Sequence, residues 1–104
     1  MVRMSVMYPR GEGKKFDLDY YANKHMPLVK ARWSGMGFVR YEIDKGLAGG
    51  APGSPPPYVC IAQIYFDSAD ALQKAAAAHG KELFADVPNF TDITPQVQIS
   101  EIVG

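Results

Sequence analysis

The chain has 104 residues, of which 47% are hydrophobic and 21% charged, and its 11 basic residues balance its 11 acidic ones. This apolar fraction excludes a disordered chain, and a zero net charge without a basic stripe argues against nucleic acid as a partner. Because no stretch approaches the ~20 apolar residues of a membrane span and the first residues lack a secretory signal core, we expect one cytoplasmic domain over residues 1–104 that contacts no membrane.

The first predicted elements are a strand over residues 2–8 and an amphipathic helix. Asp17 is placed to cap the free amides of the first turn, so the helix is expected to begin there and to run to about Trp33. Pro27 removes a backbone donor inside this helix and predicts a kink near His25. The apolar residues of the helix recur at helical spacing and should share one buried face: Leu18, Tyr21, His25, Leu28 and Val29.

Two further strands flank a segment rich in glycine and proline. Residues 38–44 alternate in polarity, which predicts Phe38 and Arg40 on the same face. Residues 45–57 predict a flexible loop outside the catalytic core. Residues 58–66 are apolar on both faces, as in a central strand that is covered on both sides. The single cysteine in that strand, Cys60, is expected to be a buried, unreactive thiol.

The second half of the chain predicts a capped helix from Ala69 to about His79, ended by Gly80, and then a short helix over residues 81–87. A last strand is expected over residues 95–103. The order β-α-β-β-α-β predicts an α+β, ferredoxin-like fold with two helices on one face of an antiparallel sheet. Because the strands over residues 2–8 and 58–66 are not polar enough to leave a face in water, we expect a homodimer.

Several short motifs occur in an order and spacing that resemble the EthD family, named from a cluster for ethyl tert-butyl ether degradation. They are residues 5–9, 16–17, 20–29, 89–92 and 101–103 (SVMYP, FD, YYANKHMPLV, NFTD and EIV). The resemblance implies a dimeric α/β barrel in which two ferredoxin-like units join through their sheets, and an oxidoreductase activity. The same superfamily contains cofactor-free monooxygenases, polyketide cyclases, muconolactone isomerases and haem-binding enzymes, so the fold does not determine the reaction.

His25 is the first candidate for chemistry because few other groups in this chain can move a proton near neutral pH. It lies one turn after Tyr21, so we expect the two rings to meet. As catalytic residues, His25 would be an acid/base at the inner end of a cleft, and Tyr21 would hold the imidazole or donate to an oxyanion. The alternative is a core histidine whose nitrogens bond to the backbone or to Tyr21.

Other side chains are candidates for the wall of a substrate pocket, although each aromatic one could serve only in the core and the amide could serve only in a turn. These substrate-binding candidates are Tyr8, Trp33, Tyr65, Phe84, Asn89 and Phe90, and Tyr41 is a further candidate for the apolar wall. The two histidines are distant and no metal-ligand spacing occurs, so we expect no metal. We also expect no tightly held cofactor, with haem on His25 the exception that the superfamily leaves open.

The leading hypothesis is an EthD-type enzyme for a small hydrophobic molecule that bears oxygen. Its reaction would be an oxidoreductive step or a cofactor-free proton transfer. The first alternative is a non-catalytic protein that binds such a compound or accompanies an enzyme of a degradation pathway. The second is a structural dimer with a vestigial pocket. The sequence does not determine the substrate.

Overall fold

The computed structural model describes residues 1–104 and contains one four-stranded sheet with two helical segments on one face. The strands are β1 (Val2–Pro9), β2 (Phe38–Lys45), β3 (Tyr58–Phe66) and β4 (Gln96–Glu101). They lie in the order β2-β3-β1-β4, and every neighbouring pair is antiparallel. This is the predicted α+β, ferredoxin-like fold.

The first helical segment, here called the N-terminal helix, changes its geometry along its length. It consists of α1 (Leu18–Tyr20), a π-helical turn (Tyr21–His25) and α2 (Met26–Trp33). The Asp17 side chain accepts a hydrogen bond from the Tyr20 amide, which confirms the predicted cap. The predicted end at Trp33 is also confirmed.

The π-helical turn lies where the sequence predicts a kink. The Met26 amide donates to the Tyr21 carbonyl, five residues back, in place of the usual four. Pro27 follows, and its ring nitrogen has no proton to offer the Asn23 carbonyl. The wider turn places the His25 ring almost parallel to the Tyr21 ring, with an angle of 15° between the planes and 5.3 Å between the centroids.

The second helix, α3 (Ala69–Ala85), is longer than the sequence predicts, and the expected end at His79 and Gly80 is wrong. The separate helix over residues 81–87 is wrong for the same reason. Leu72, Ala75 and Leu83 are all buried on the sheet side, so the packed face of one helix continues through Gly80. This burial outweighs the roughly 1 kcal/mol that a glycine costs a helix interior.

The predicted alternation of β2 fails at its first residue. Phe38 pairs with Phe66, but Arg40 already pairs with Tyr65, so β2 contains one extra residue at this point. A β-bulge of this kind turns the preceding side chain to the other face. Phe38 therefore packs towards the helices, while Arg40 and the polar residues after it lie on the opposite face.

The core lies between the sheet and the helices. Strand β3 contributes Cys60, Ala62, Ile64 and Phe66 to it, all at most 3% exposed. Cys60 is buried, as expected, and burial raises the pKa of its thiol to about 12. The core therefore occupies the same side of the sheet as both helices.

The opposite side of the sheet, here called the open face, has no helix over it and is more polar than the sequence suggests. The Ser5 hydroxyl donates to Gln63 at 2.6 Å, and the Tyr65 hydroxyl donates to Glu42 at 2.8 Å. The Arg40 guanidinium lies 4.0 Å from the centre of the Tyr65 ring. Cross-strand contacts within the chain thus give many polar groups on this face a partner.

The segment between β2 and β3 is a loop with its own short-range hydrogen bonds. The Gly49 amide donates to the Ser54 carbonyl, and the Ser54 amide and hydroxyl both donate to the Ala51 carbonyl. None of the helices is both long enough and apolar enough to cross a lipid bilayer. The candidate site lies on the helix side of the sheet.

Candidate active site

A cavity of about 110 Å³ opens between the sheet, the N-terminal helix and α3, and 13 of its 16 lining residues are hydrophobic. Aliphatic and aromatic side chains from three strands form its floor. His25 is the one lining residue with an imidazole side chain. Small ligands are typically bound in apolar cavities of this kind that contain a few polar groups.

His25 is anchored by a carboxylate at the end of α3. Its Nδ1 lies 2.9 Å from Oδ2 of Asp86, which caps that helix. The His25 ring is 6% exposed, so this contact is largely shielded from water. This hydrogen bond joins the π-helical turn to the C-terminus of α3.

Asp86 is held in its ionised form by three donors. Burial alone would raise its pKa, but hydrogen bonds from Asn89, His25 and Tyr20 together hold the pKa of this carboxyl below its ordinary value. The Tyr20 hydroxyl and the Asn89 amide each donate to Oδ1 at 2.8 Å. Both carboxylate oxygens are therefore occupied at neutral pH.

The ionised carboxylate determines which nitrogen of His25 carries the proton. A carboxylate only accepts hydrogen bonds, so Nδ1 must be the donor. In the neutral ring Nε2 is then the acceptor, and it has no hydrogen-bond partner in the chain. His25 thus lines an apolar cavity with one nitrogen fixed and the other free to accept a proton.

Aromatic rings enclose the other sides of this histidine. The Tyr21 ring stacks on it, and the Phe90 ring lies 4.7 Å away between centroids. Tyr8 meets Tyr21 edge to face at 5.5 Å. Burial raises the pKa of both Tyr8 and Tyr21 well above the ordinary value of 10.0, so their hydroxyls can donate hydrogen bonds but do not ionise.

Comparison with known proteins identifies the family. A family model described as the EthD domain matches residues 10–94, which is most of the chain. The chain belongs to the EthD family. The motif resemblance inferred from the sequence is thereby confirmed.

Individual relatives support this membership over most or all of the chain. The crystal structure of an EthD-like protein from Ralstonia eutropha JMP134 is 46% identical with a TM-score of 0.92, covering 99% of this chain and 92% of that one. An uncharacterized 11.0 kDa protein in the thcB–thcC intergenic region of Rhodococcus erythropolis is 35% identical over 92 residues, 86% of this chain and 84% of that protein.

A more distant structure shows how widely the EthD fold is shared. SnoaB, a cofactor-independent oxygenase from Streptomyces nogalater, is 13% identical with a TM-score of 0.60, covering 97% of this chain and 90% of that one. At this level of identity the likeness concerns the fold alone. It shows that this EthD protein and that chain share the ferredoxin-like fold.

The structure brings some of the predicted site residues of this EthD protein to the cavity and places others elsewhere. Both predicted catalytic residues line it, as do the three candidates Tyr8, Trp33 and Phe84. Trp33 is fixed there because its indole N–H donates to the Ala75 carbonyl at 2.9 Å.

The remaining wall candidates do not line the cavity. Tyr65 lies on the open face, because Ile64 and Phe66 on either side of it face the helices. Asn89 contacts Asp86 from a 3-10 turn (Val87–Asn89), and Phe90 packs behind His25. Tyr41 packs against the core under the helices but away from the cavity.

The residue that the sequence analysis of this EthD chain missed is Asp86, together with its partner Tyr20. Asp86 is 61 positions from His25, and no local spacing connects them. Its position depends on α3 running without a break to Ala85, which the predicted end at Gly80 excluded. A correct length for α3 would have been the signal for a carboxylate at that helix end.

Proposed function

We propose that this EthD protein binds a hydrophobic small molecule that bears oxygen and that His25 removes a proton from it. One observation supports this most strongly: His25 lines an apolar cavity with Nδ1 fixed by an ionised carboxylate and Nε2 without a partner. A structural histidine would have both nitrogens occupied. A general base needs one nitrogen held and the other directed to the ligand.

Asp86 makes the proton transfer favourable. When Nε2 takes a proton, the ring becomes a cation beside the carboxylate, and the charge pair stabilises it. The apolar cavity strengthens this attraction because little water screens it. The proton comes from an acidic C–H or O–H group of the ligand, and its electron pair stays behind as an enolate or a phenolate.

Tyr21 is suited to support that anion. Its hydroxyl remains protonated, and Tyr21 lines the same cavity as His25. A donor positioned where negative charge develops lowers the barrier of such a step. In this proposal, Tyr21 therefore donates to the ligand oxygen while His25 holds the proton.

The resulting anion can undergo an oxidation with dioxygen as the oxidant. A carbanion carbon forms a bond to dioxygen, and the peroxide oxygen then takes the proton back from His25, which gives a hydroperoxide. The chain shares its fold with a cofactor-independent oxygenase, which makes this form of chemistry the one to test first. Without dioxygen, return of the proton to another atom gives an isomerisation.

The working form in this proposal is a cytoplasmic homodimer that forms through the open face, with residues 1–104 as one domain in each subunit. Nε of Arg3 is buried on that face without a hydrogen-bond partner, which an acceptor on a second copy would satisfy. An interface of roughly 2,000 Å² or more is expected. A monomeric mass by light scattering at micromolar concentration would contradict it.

The test of the chemistry needs no knowledge of the natural substrate. A hydrophobic ketone is incubated in D₂O, and NMR measures deuterium exchange next to the carbonyl. The wild type is expected to accelerate exchange, and His25→Gln, which keeps a polar side chain of similar size, should lose about 10²–10⁴-fold. An oxygen electrode measures whether dioxygen is consumed with the same ligands.

Two controls separate catalysis from binding. Glu42→Gln on the open face, once light scattering has shown it to be dimeric, should exchange deuterium at the wild-type rate, because Glu42 does not line the cavity. Equal exchange by the wild type and His25→Gln, with the same ligands bound, would contradict the proposal and favour the non-catalytic binding protein.

A further inference from the structure

Gly80 has no structural reason to be glycine. It lies inside the 17-residue helix α3 and is not among the glycines with positive φ. A Cβ atom at this position would contact only the Ala76 Cβ, at an ordinary 3.9 Å. Glycine destabilises a helix relative to alanine, so helix stability does not explain a glycine here. The feature that sets this position apart is the open space where a side chain would lie. That space borders the cavity, because Gly80 lines it.

The cavity is too small to enclose a large ligand. Its volume of about 110 Å³ is below the roughly 150 Å³ of an apolar cavity that holds benzene, so even a ligand with a single ring extends into the opening. Two of its lining residues lie partly in solvent, with Phe84 58% and Val97 44% exposed. The cavity therefore opens to the surface between α3 and the edge strand β4.

His25 and Gly80 lie at different positions along the cavity. Asp86 fixes His25 at the end of α3, and Gly80 is six residues earlier, or roughly 9 Å along the helix axis. Near Ala75 the helix is held to Trp33. The cavity lining extends along the helix from Val87 past Gly80 to Ala76, so a slot runs beneath α3 from His25 past Gly80.

We infer that the ligand is elongated, with its oxygen at His25 and an apolar tail that runs along the cavity past Gly80. This inference rests on the proposed function, because it places the oxygen at the proposed base. The tail covers apolar surface that the chain leaves exposed at Phe84 and Val97. Gly80 is accordingly the residue that determines how long a ligand the site accepts.

The test uses 4-alkylphenols of increasing chain length as probes. Trp33 lines the cavity and is the single tryptophan, so its fluorescence reports binding. In the wild type, affinity should rise about fourfold for each added methylene that is buried. Gly80→Leu fills the slot and should remove this gain for long chains, while 4-methylphenol binds as in the wild type.

Two further variants serve as controls for this test. Ala77→Leu places the same side chain on the exposed side of α3 and should leave the length dependence unchanged. Gly80→Ala should melt at a higher temperature than the wild type and lose part of the gain for the longest phenols. It keeps the test valid if Gly80→Leu does not fold.

The possible failures are distinguishable. If chain length has no effect in the wild type, or if Gly80→Leu weakens short and long phenols equally, the elongated ligand is contradicted while proton removal by His25 stands. If phenol affinity rises with chain length but His25→Gln exchanges deuterium at the wild-type rate, the role of His25 as a base is contradicted. The elongated ligand site is then still supported. If no phenol binds, both are contradicted.

Discussion

Two carboxylates in this molecule each accept a hydrogen bond from a tyrosine hydroxyl at 2.8 Å, yet their surroundings differ. Asp86 bonds to Tyr20 under the helices and also holds His25 beside the cavity. Glu42 bonds to Tyr65 on the open face, where the Glu42 side chain is 53% exposed. The same polar pair therefore supports a titratable group in one place and only the sheet surface in the other.

The largest expected difference between these regions follows from removing each carboxylate. Asp86→Ala leaves His25 Nδ1 and the Tyr20 hydroxyl without their partner, which should cost about 2–3 kcal/mol of stability. It should also lower His25-dependent exchange by about 10²-fold or more, because the tautomer and the charge partner are lost. Urea unfolding and the deuterium assay measure the two effects.

Glu42→Ala is the matched control on the open face. It removes one partly exposed acceptor and should cost at most about 1 kcal/mol. Its exchange rate, measured once light scattering has shown the variant to be dimeric, should equal that of the wild type. If both variants lost activity to the same extent, the assignment of chemistry to the helix side would be contradicted.

Tyr21→Phe sharpens the comparison within the cavity itself. The variant keeps the ring that stacks on His25 but removes the hydroxyl. If that hydroxyl donates to the ligand oxygen, turnover should fall by about 10²-fold while the melting temperature changes little. A normal rate in Tyr21→Phe would restrict Tyr21 to packing.

The different success of prediction in these regions has a physical cause. The contact between Tyr21 and His25 was predictable because it depends on a spacing of four residues within one helix. The contact between His25 and Asp86 depends on where α3 ends, and tertiary burial of Leu83 decided that against the local signal of Gly80.

The face of each strand that the helices cover was also difficult to predict. The alternation of β3 shows that Tyr65 lies opposite to Ile64 and Phe66, but a strand apolar on both sides does not show which face the helices cover. In β2 the bulge after Phe38 is set by pairing with β3, which no pattern within β2 reveals. Fold class needs only the order of elements, so it was predicted correctly.

Asp86 should stabilise the fold less in strong acid than at neutral pH. Its pKa in the folded protein is below the ordinary value of 3.8, so the folded state favours the ionised form. The contribution is fully present above pH 3.8 and is lost as the pH falls through the lowered pKa. Wild type and Asp86→Asn should therefore differ in unfolding free energy at pH 7 and converge in strong acid. A constant difference across that range would show that the charge of Asp86 is not what stabilises the fold.

The smallest expected effects come from the two tyrosine hydroxyls, and they test whether the two pairs are equivalent as hydrogen bonds. Tyr20→Phe and Tyr65→Phe each remove one donor to a carboxylate and keep the ring, so each should cost about 1 kcal/mol by urea unfolding. They should differ in a second measurement. Tyr20→Phe removes one of three donors that hold the pKa of Asp86 low, so NMR titration of that carboxyl should show its pKa rising towards the ordinary value. Tyr65→Phe should leave that titration unchanged, because Tyr65 lies on the other side of the sheet. If Tyr20→Phe also left it unchanged, Asn89 and His25 alone would hold Asp86 ionised, and Tyr20 would contribute to the fold but not to the base.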